Sequence, residues 1–192
     1  MFKFCSLYSG SSGNSLFIEN NNAKILIDAG ESAKKIVEAL TSIQVDVKDI
    51  DAILVTHEHS DHIGGLGVIS RKYGIPIYAT AGTVDAMVRT NALGKIPEGI
   101  FHEIQEDEPF MINDLKVNPF TIPHDAAQPV GYRLEHEGHS VGIATDLGKY
   151  NDYIIENLQG LDALLLEANH DIRMLQVGKY PYYLKQRILG DR

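Results

Sequence analysis

The 192-residue chain has a single cysteine, Cys5, so no intrachain disulfide can staple it. That fits a reducing compartment. It has no apolar run approaching membrane-spanning length, and its N-terminus lacks the charged-then-apolar order of a secretory signal. A cytoplasmic protein with no membrane association is the expectation, and oligomeric state is left open. Positive charge is scarce. Lys and Arg number 17 against 26 Asp and Glu, for a formal net charge of -9, which argues against broad non-specific nucleic-acid binding over the whole surface. Repeats and low-complexity linkers are absent as well, so one domain over residues 1–192 is expected. What is present is an ordinary globular balance, 44% hydrophobic and 22% charged, enough for a stable core.

The few positive charges are unevenly spread. From Arg173 to Arg192 the chain carries Arg173, Lys179, Lys185, Arg187 and Arg192 against only Asp191. A basic patch on an acidic body suits a phosphate-bearing substrate, with Lys185 and Arg187 as candidates to neutralise it.

The densest chemistry lies in Thr56-His57-Glu58-His59-Ser60-Asp61-His62, which packs three histidines and two carboxylates into six positions. Ala52-Ile53-Leu54-Val55 leads in with the length and branching of a buried strand, and Ile63-Gly64-Gly65-Leu66 leads out towards a helix. As a solvated loop, this cluster would cost charge repulsion and desolvation unless a cation offset it. Imidazoles with carboxylates suit zinc, manganese or iron. On this spacing His57 and His59 could hold one ion, and Asp61 and His62 a second.

Other strand ends repeat the arrangement. Val117 to Ile122 runs into Pro123-His124-Asp125, and Val141 to Ala144 into Thr145-Asp146-Leu147-Gly148. His124 and Asp146 are read as further ligands, and Asp146 has the two oxygens needed to bridge ions. Asp28 ends Ile25-Leu26-Ile27 before Ala29-Gly30, and is either a turn former or a group that orients a ligand histidine from behind. His170, after Leu164-Leu165-Leu166-Glu167-Ala168-Asn169, is open between ligand, general acid and structural residue. His102, His136 and His139 read as ordinary polar positions near hairpins. The turn Gly10-Ser11-Ser12-Gly13-Asn14-Ser15 lacks the lysine of a phosphate-binding loop. A plain hairpin turn or a wall of the site remain.

Patterning predicts strands at Lys3–Leu7, Leu16–Glu19, Lys24–Asp28, Ile75–Ala79, Ile100–Ile104, Phe110–Ile112, Lys116–Thr121, Val130–Glu135, Ser140–Ala144 and a buried strand at Ala163–Glu167. Helices are predicted over Ser32–Ile43 with Ser32 as cap, Leu66–Tyr73, Thr83–Leu93, Asn151–Leu158 and Tyr182–Leu189. Alternating strands and helices with hairpins mixed in point to an α/β protein of two packed sheets with helices outside. A doubly wound parallel sheet fits less well.

His57, His59, Asp61 and His62 match the HxHxDH motif, and with Asp28, His124 and Asp146 the chain resembles the metallo-β-lactamase superfamily. Ser9 to Ser15, Glu167-Ala168-Asn169-His170-Asp171 and Gly190-Asp191-Arg192 narrow the match to its YycJ (WalJ) family of DNA-processing phosphodiesterases or exonucleases. The resemblance implies an αββα sandwich with two divalent metal ions in the cleft between mixed sheets. One ion would take His57, His59 and His124, the other Asp61 and His62, with Asp146 bridging. It also implies phosphodiester hydrolysis, on DNA or another phosphodiester, through a metal-activated hydroxide held between ions about 3.5–4 Å apart. Asp61 would hold that hydroxide and His170 would protonate the leaving group. The family supplies one more histidine beyond the Gly-Asp-Arg element, so a chain lacking its C-terminal part and an incomplete second site are expected. Rival readings are a thioester or lactam hydrolase on the same metals, and a metal-stabilised scaffold without catalysis. A di-iron redox protein fits poorly, because it would carry glutamate where His59 stands.

Overall fold

The structure is a computed structural model that describes residues 1–167, 177–179, 181, 182 and 185. Strands β1 (Lys3–Tyr8), β2 (Ser15–Glu19), β3 (Lys24–Ile27), β4 (Ala52–Leu54), β5 (Ile77–Thr80) and β6 (Phe101–Ile104) form one sheet in that order. The first three are antiparallel and the rest parallel. The second sheet joins β7 (Phe110–Ile112), β8 (Leu115–Thr121), β9 (Val130–His136), β10 (His139–Ala144) and β11 (Ala163–Leu166), antiparallel except for β10 with β11. Helices α1 (Ala33–Ser42), α2 (Ser60–Ile63), α3 (Leu66–Tyr73), α4 (Ala81–Arg89) and α5 (Asp152–Leu158), with a short 3-10 helix at Val47–Asp49, complete the described elements. The expected sandwich of mixed sheets with helices outside is what forms.

The layers follow from alternation along the strands. On β3, Ile25 and Ile27 face the second sheet with Leu134 and Ile143, while Leu26 faces Ile36, Leu40 and Ile69 of the helices. On β4, Leu54 goes inward between the sheets and Ile53 goes to the helix side. On the far face, Phe120, Ile122 and Ala144 pack with Tyr153 and Leu158, so α5 covers the second sheet. Hairpin turns sit where turn residues stand, with Asn113 at φ 53 and Glu137-Gly138 at φ 48 and 80. Ser32 caps α1 by accepting from the Lys35 N–H.

Three expectations need correcting. Helix α4 begins at Ala81 and stops at Arg89, because Thr80 already turns the chain and Asn91 sits at φ 52. Strand β11 is not buried. It is the edge of its sheet, and Leu164 and Leu166 are 43% and 49% exposed. His136 is not an ordinary polar position: it is buried, and its Nε2 has no hydrogen-bond partner.

One side chain stitches the two sheets beside the histidine loop. Tyr132 of β9 is fully buried and donates from its hydroxyl to the Val55 carbonyl at 2.7 Å. Tyr132→Phe keeps the ring and strands that carbonyl, at a cost of about 1–3 kcal/mol. A melting temperature lower by roughly 2–10 °C is expected. An unchanged melting curve would show that the hydroxyl contributes nothing.

Candidate metal centre

The strand directions place the candidate residues together. Strands β3 and β4 run parallel, so Asp28 and Thr56 emerge level at their ends, and Asp28 N–H donates to Leu54 O at 2.8 Å. Both β8 and β10 run antiparallel to β9, so His124 and Asp146 leave the second sheet on one side. That side abuts the loop after β4, where Val130 N–H donates to Thr56 O at 3.0 Å. His59 then starts the short helix α2, which carries Asp61 and His62.

The side chains converge in two groups whose ligand atoms lie within 4.8 Å of one another: His57, His59 and His124, and His57, His62 and Asp146. His57 belongs to both. His124 Nε2 is 3.1 Å from His59 Nδ1, and Asp146 Oδ2 is 2.9 Å from His62 Nε2 and 4.0 Å from His57 Nε2. Asp61 stands beside the second group, its Oδ2 3.6 Å from His62 Nε2.

Asp28 is 3% exposed and lies behind this cluster. Its carboxylate accepts from Thr56 N–H, from the Thr56 hydroxyl and from His62 Nδ1, each at 2.8 Å. His62 Nδ1 therefore faces Asp28 and its Nε2 faces the cleft. Both Asp28 and Asp146 hold left-handed backbone, φ 60 and 55, which aspartate tolerates better than most residues.

Burial, reinforced by the neighbouring His62 and His124, pushes His57 down to about 2, so its ring is neutral and offers a lone pair. Burial also lowers His124. For His62 burial acts downward too, but the Asp28 charge and the Asp146 hydrogen bond override it and raise the ring to about 10. Asp146 is the converse: burial acts upward, and its bond to His62 wins and holds it at about 2.

The donor set fits a divalent cation. His57 Nε2 is buried in the middle of the cluster without a hydrogen-bond partner, a costly state unless that lone pair is used. Imidazole nitrogens with a carboxylate are the donors zinc, manganese and iron take.

The chain matches the family described as "Beta-lactamase superfamily domain" over residues 23–179. It belongs to the beta-lactamase superfamily. It is 43% identical over 190 residues to Exodeoxyribonuclease WalJ of Streptococcus pneumoniae, covering 99% of this chain and 71% of that protein. It is 38% identical over 188 residues to Exodeoxyribonuclease YycJ of Bacillus anthracis, covering 98% and 70%. In fold it resembles Zn(2+)-bound PqqB from Methylobacterium extorquens, with a TM-score of 0.72 and 19% identity over 88% of this chain and 64% of that one. YhfI from Bacillus subtilis, a metallo-beta-lactamase fold protein, superposes with a TM-score of 0.68 at 18% identity, covering 85% of this chain and 66% of that one. The chain thus spans about 70% of the length of these curated relatives and slightly less than two thirds of these structures.

Several residues at the site were not singled out by motif. Thr56 shares Asp28 with His62. Glu58 Oε1 accepts from Ala127 N–H at 2.8 Å and so ties the His124 segment to the histidine loop. Glu167 accepts from the Asp146 backbone N–H, and burial followed by the Asp146 charge raises its carboxyl. Asn14 brings the glycine-serine turn to the cluster, so that turn is a wall of the site. Its sequence signals were the small-residue turn and the family resemblance of Ser9 to Ser15. Of the other candidates, Lys185 is half-buried in a helical position, and His170 and Arg187 lie outside the described residues.

Proposed function

We propose that this chain is a metal-dependent phosphodiesterase that degrades DNA from an end, as the names of its relatives suggest for them. The observation that carries the reading is His57 Nε2, buried and unpartnered where two groups of histidine and aspartate meet. His57, His59 and His124 would hold one ion, Asp61 and His62 a second, and Asp146 both. We take the described elements as one domain, because a single pair of sheets shares the central core, and we place the protein in the cytoplasm. Among the described residues no helix is long and apolar enough to cross a membrane.

Bound divalent ions would supply a hydroxide nucleophile near neutral pH and offset phosphate charge. The chain's own residues prepare the rest. Asp28 orders the His62 tautomer by taking its Nδ1–H, which leaves Nε2 for the cleft. Glu167 fixes Asp146 through its backbone. Asp61 would accept a hydrogen bond from the attacking hydroxide. That nucleophile, having lost one proton to solvent, would bond to phosphorus as the P–O bond to the leaving nucleotide breaks, and His170 would give the leaving oxygen its proton. Lys185 and Arg187 neutralise flanking phosphates.

Elemental analysis with a nuclease assay tests this. Purified protein should carry zinc, manganese or iron, and should shorten end-labelled linear DNA while sparing closed circles. Chelation should abolish the activity, and manganese or zinc should restore it. Turnover of a thioester or lactam with none on DNA or bis(4-nitrophenyl) phosphate would replace this reading by the other hydrolase class.

A further inference from the structure

Asn14 has every one of its polar groups committed except one. Its backbone N–H donates to Asp61 O at 2.7 Å, and its carbonyl accepts from Gly30 N–H at 2.8 Å. Its side-chain Oδ1 accepts from Gly10 N–H at 3.0 Å. That last bond decides which way the amide points: Nδ2 must face the cleft. There it stands 3.1 Å from His62 Nε2 and 3.5 Å from Asp61 Oδ2.

His62 is a poor acceptor for it. Its Nδ1 hydrogen is directed at Asp28 Oδ2, and its Nε2 also faces Asp146 Oδ2 at 2.9 Å. If Nε2 carries a hydrogen for Asp146, it has no lone pair for Asn14. If that lone pair is given to a cation, it is again unavailable. The remaining contact, to Asp61 Oδ2, is long for a good hydrogen bond. Asn14 is thus a neutral N–H donor, held by three hydrogen bonds, beside the Asp61–His62 half of the cluster and short of a good acceptor.

We propose that Asn14 Nδ2 is a preset donor for an anionic oxygen of the substrate, the non-bridging oxygen of the scissile phosphate. This rests on the phosphodiesterase reading and extends it. A donor fixed before substrate arrives needs no reorganisation when charge develops on that oxygen. It also explains the wall: the turn from Gly10 to Asn14 is bound to Gly30 and Asp61 so that one amide can be aimed.

The test compares Asn14→Asp and Asn14→Ala with the parent protein. Aspartate keeps an acceptor for Gly10 N–H but replaces the donor with an oxygen, and alanine removes both the donor and the acceptor for Gly10 N–H. Calorimetry on manganese-loaded protein reads the affinity for inorganic phosphate. It should fall by about ten- to a hundredfold in both variants, the scale of a lost hydrogen bond to a charged group. Manganese affinity should be unchanged in the alanine variant and unchanged or tighter in the aspartate variant. Turnover of bis(4-nitrophenyl) phosphate should fall in parallel with phosphate affinity, and circular dichroism should report a folded protein. Unchanged phosphate affinity in the aspartate variant would reduce Asn14 to a loop pin. Loss of manganese affinity in the alanine variant would make it a metal ligand instead. Parent protein that binds no phosphate overturns the proposal outright. Parent protein that binds phosphate but cleaves no phosphodiester overturns the function proposed above and leaves the binding comparison to decide Asn14.

Discussion

Asp28→Asn is expected to weaken metal binding by about ten- to a hundredfold while leaving the protein folded. The carboxylate meets three donors, Thr56 N–H, Thr56 Oγ1 and His62 Nδ1, all at 2.8 Å. Asparagine retains one oxygen and turns an NH2 group towards a donor. His62 then faces a neutral amide in place of a carboxylate, so its tautomer is held less firmly and its Nε2 is a weaker donor to the cleft. Asp28→Ala goes further. It leaves three donors facing an empty site, among them His62, whose ring is raised to about 10 in the parent protein by Asp28 together with Asp146 despite its burial. Removing one partner of such a buried pair costs roughly 3–5 kcal/mol, so a melting temperature about 10 °C lower is expected. Calorimetric titration of metal-free protein with zinc or manganese, beside thermal melts, separates the two effects. An asparagine variant that takes up metal as tightly as the parent protein would mean Asp28 is only a turn residue.

Gly30→Ala should prevent the native site from forming. A Cβ on Gly30 would lie 1.6 Å from the Asp61 carbonyl oxygen, 2.3 Å from its carbon and 2.7 Å from Asn14 N. All three are backbone atoms, so no side-chain rotation relieves the overlap. The same backbone is bonded through, with Gly30 N–H to Asn14 O and Asn14 N–H to Asp61 O. Moving any of these strands breaks the others. A loss beyond about 4–5 kcal/mol is expected, comparable with the whole stability of a domain of this size, about 5–15 kcal/mol. Chemical denaturation followed by circular dichroism reads it directly. A variant with the parent midpoint would show that the approach of Gly30 to Asp61 is looser than described.

The histidine loop was legible because its chemistry is local. Five metal-compatible groups from His57 to His62, between an apolar strand and a glycine pair, leave few other uses for those residues. Helix α1 was legible for the same reason, with Ser32 before a periodic apolar face. Asp28 was open between two roles in the sequence, since a strand-end aspartate looks the same whether it caps a turn or holds an imidazole. Its left-handed backbone and its bond to His62 depend on the parallel pairing of β3 with β4. Asn14 and Glu167 lie in stretches that mark the family, but nothing local says what either touches, because each acts through a partner 47 or 21 residues away.

By itself, then, the sequence determined the elements, the two-sheet sandwich and the types of ligand, because periodicity, turn chemistry and the HxHxDH spacing are properties of neighbouring residues. Tertiary structure alone decided how the candidate ligands are grouped. His57 sits in both clusters, Asp146 lies between His57 and His62, and Asp61 stands to one side. It also decided that β11 is a half-exposed edge and that the glycine-serine turn walls the site. These are consequences of strand direction and sheet packing. Atoms distant along the chain meet only after both sheets close, and no local pattern records which of them will face one another.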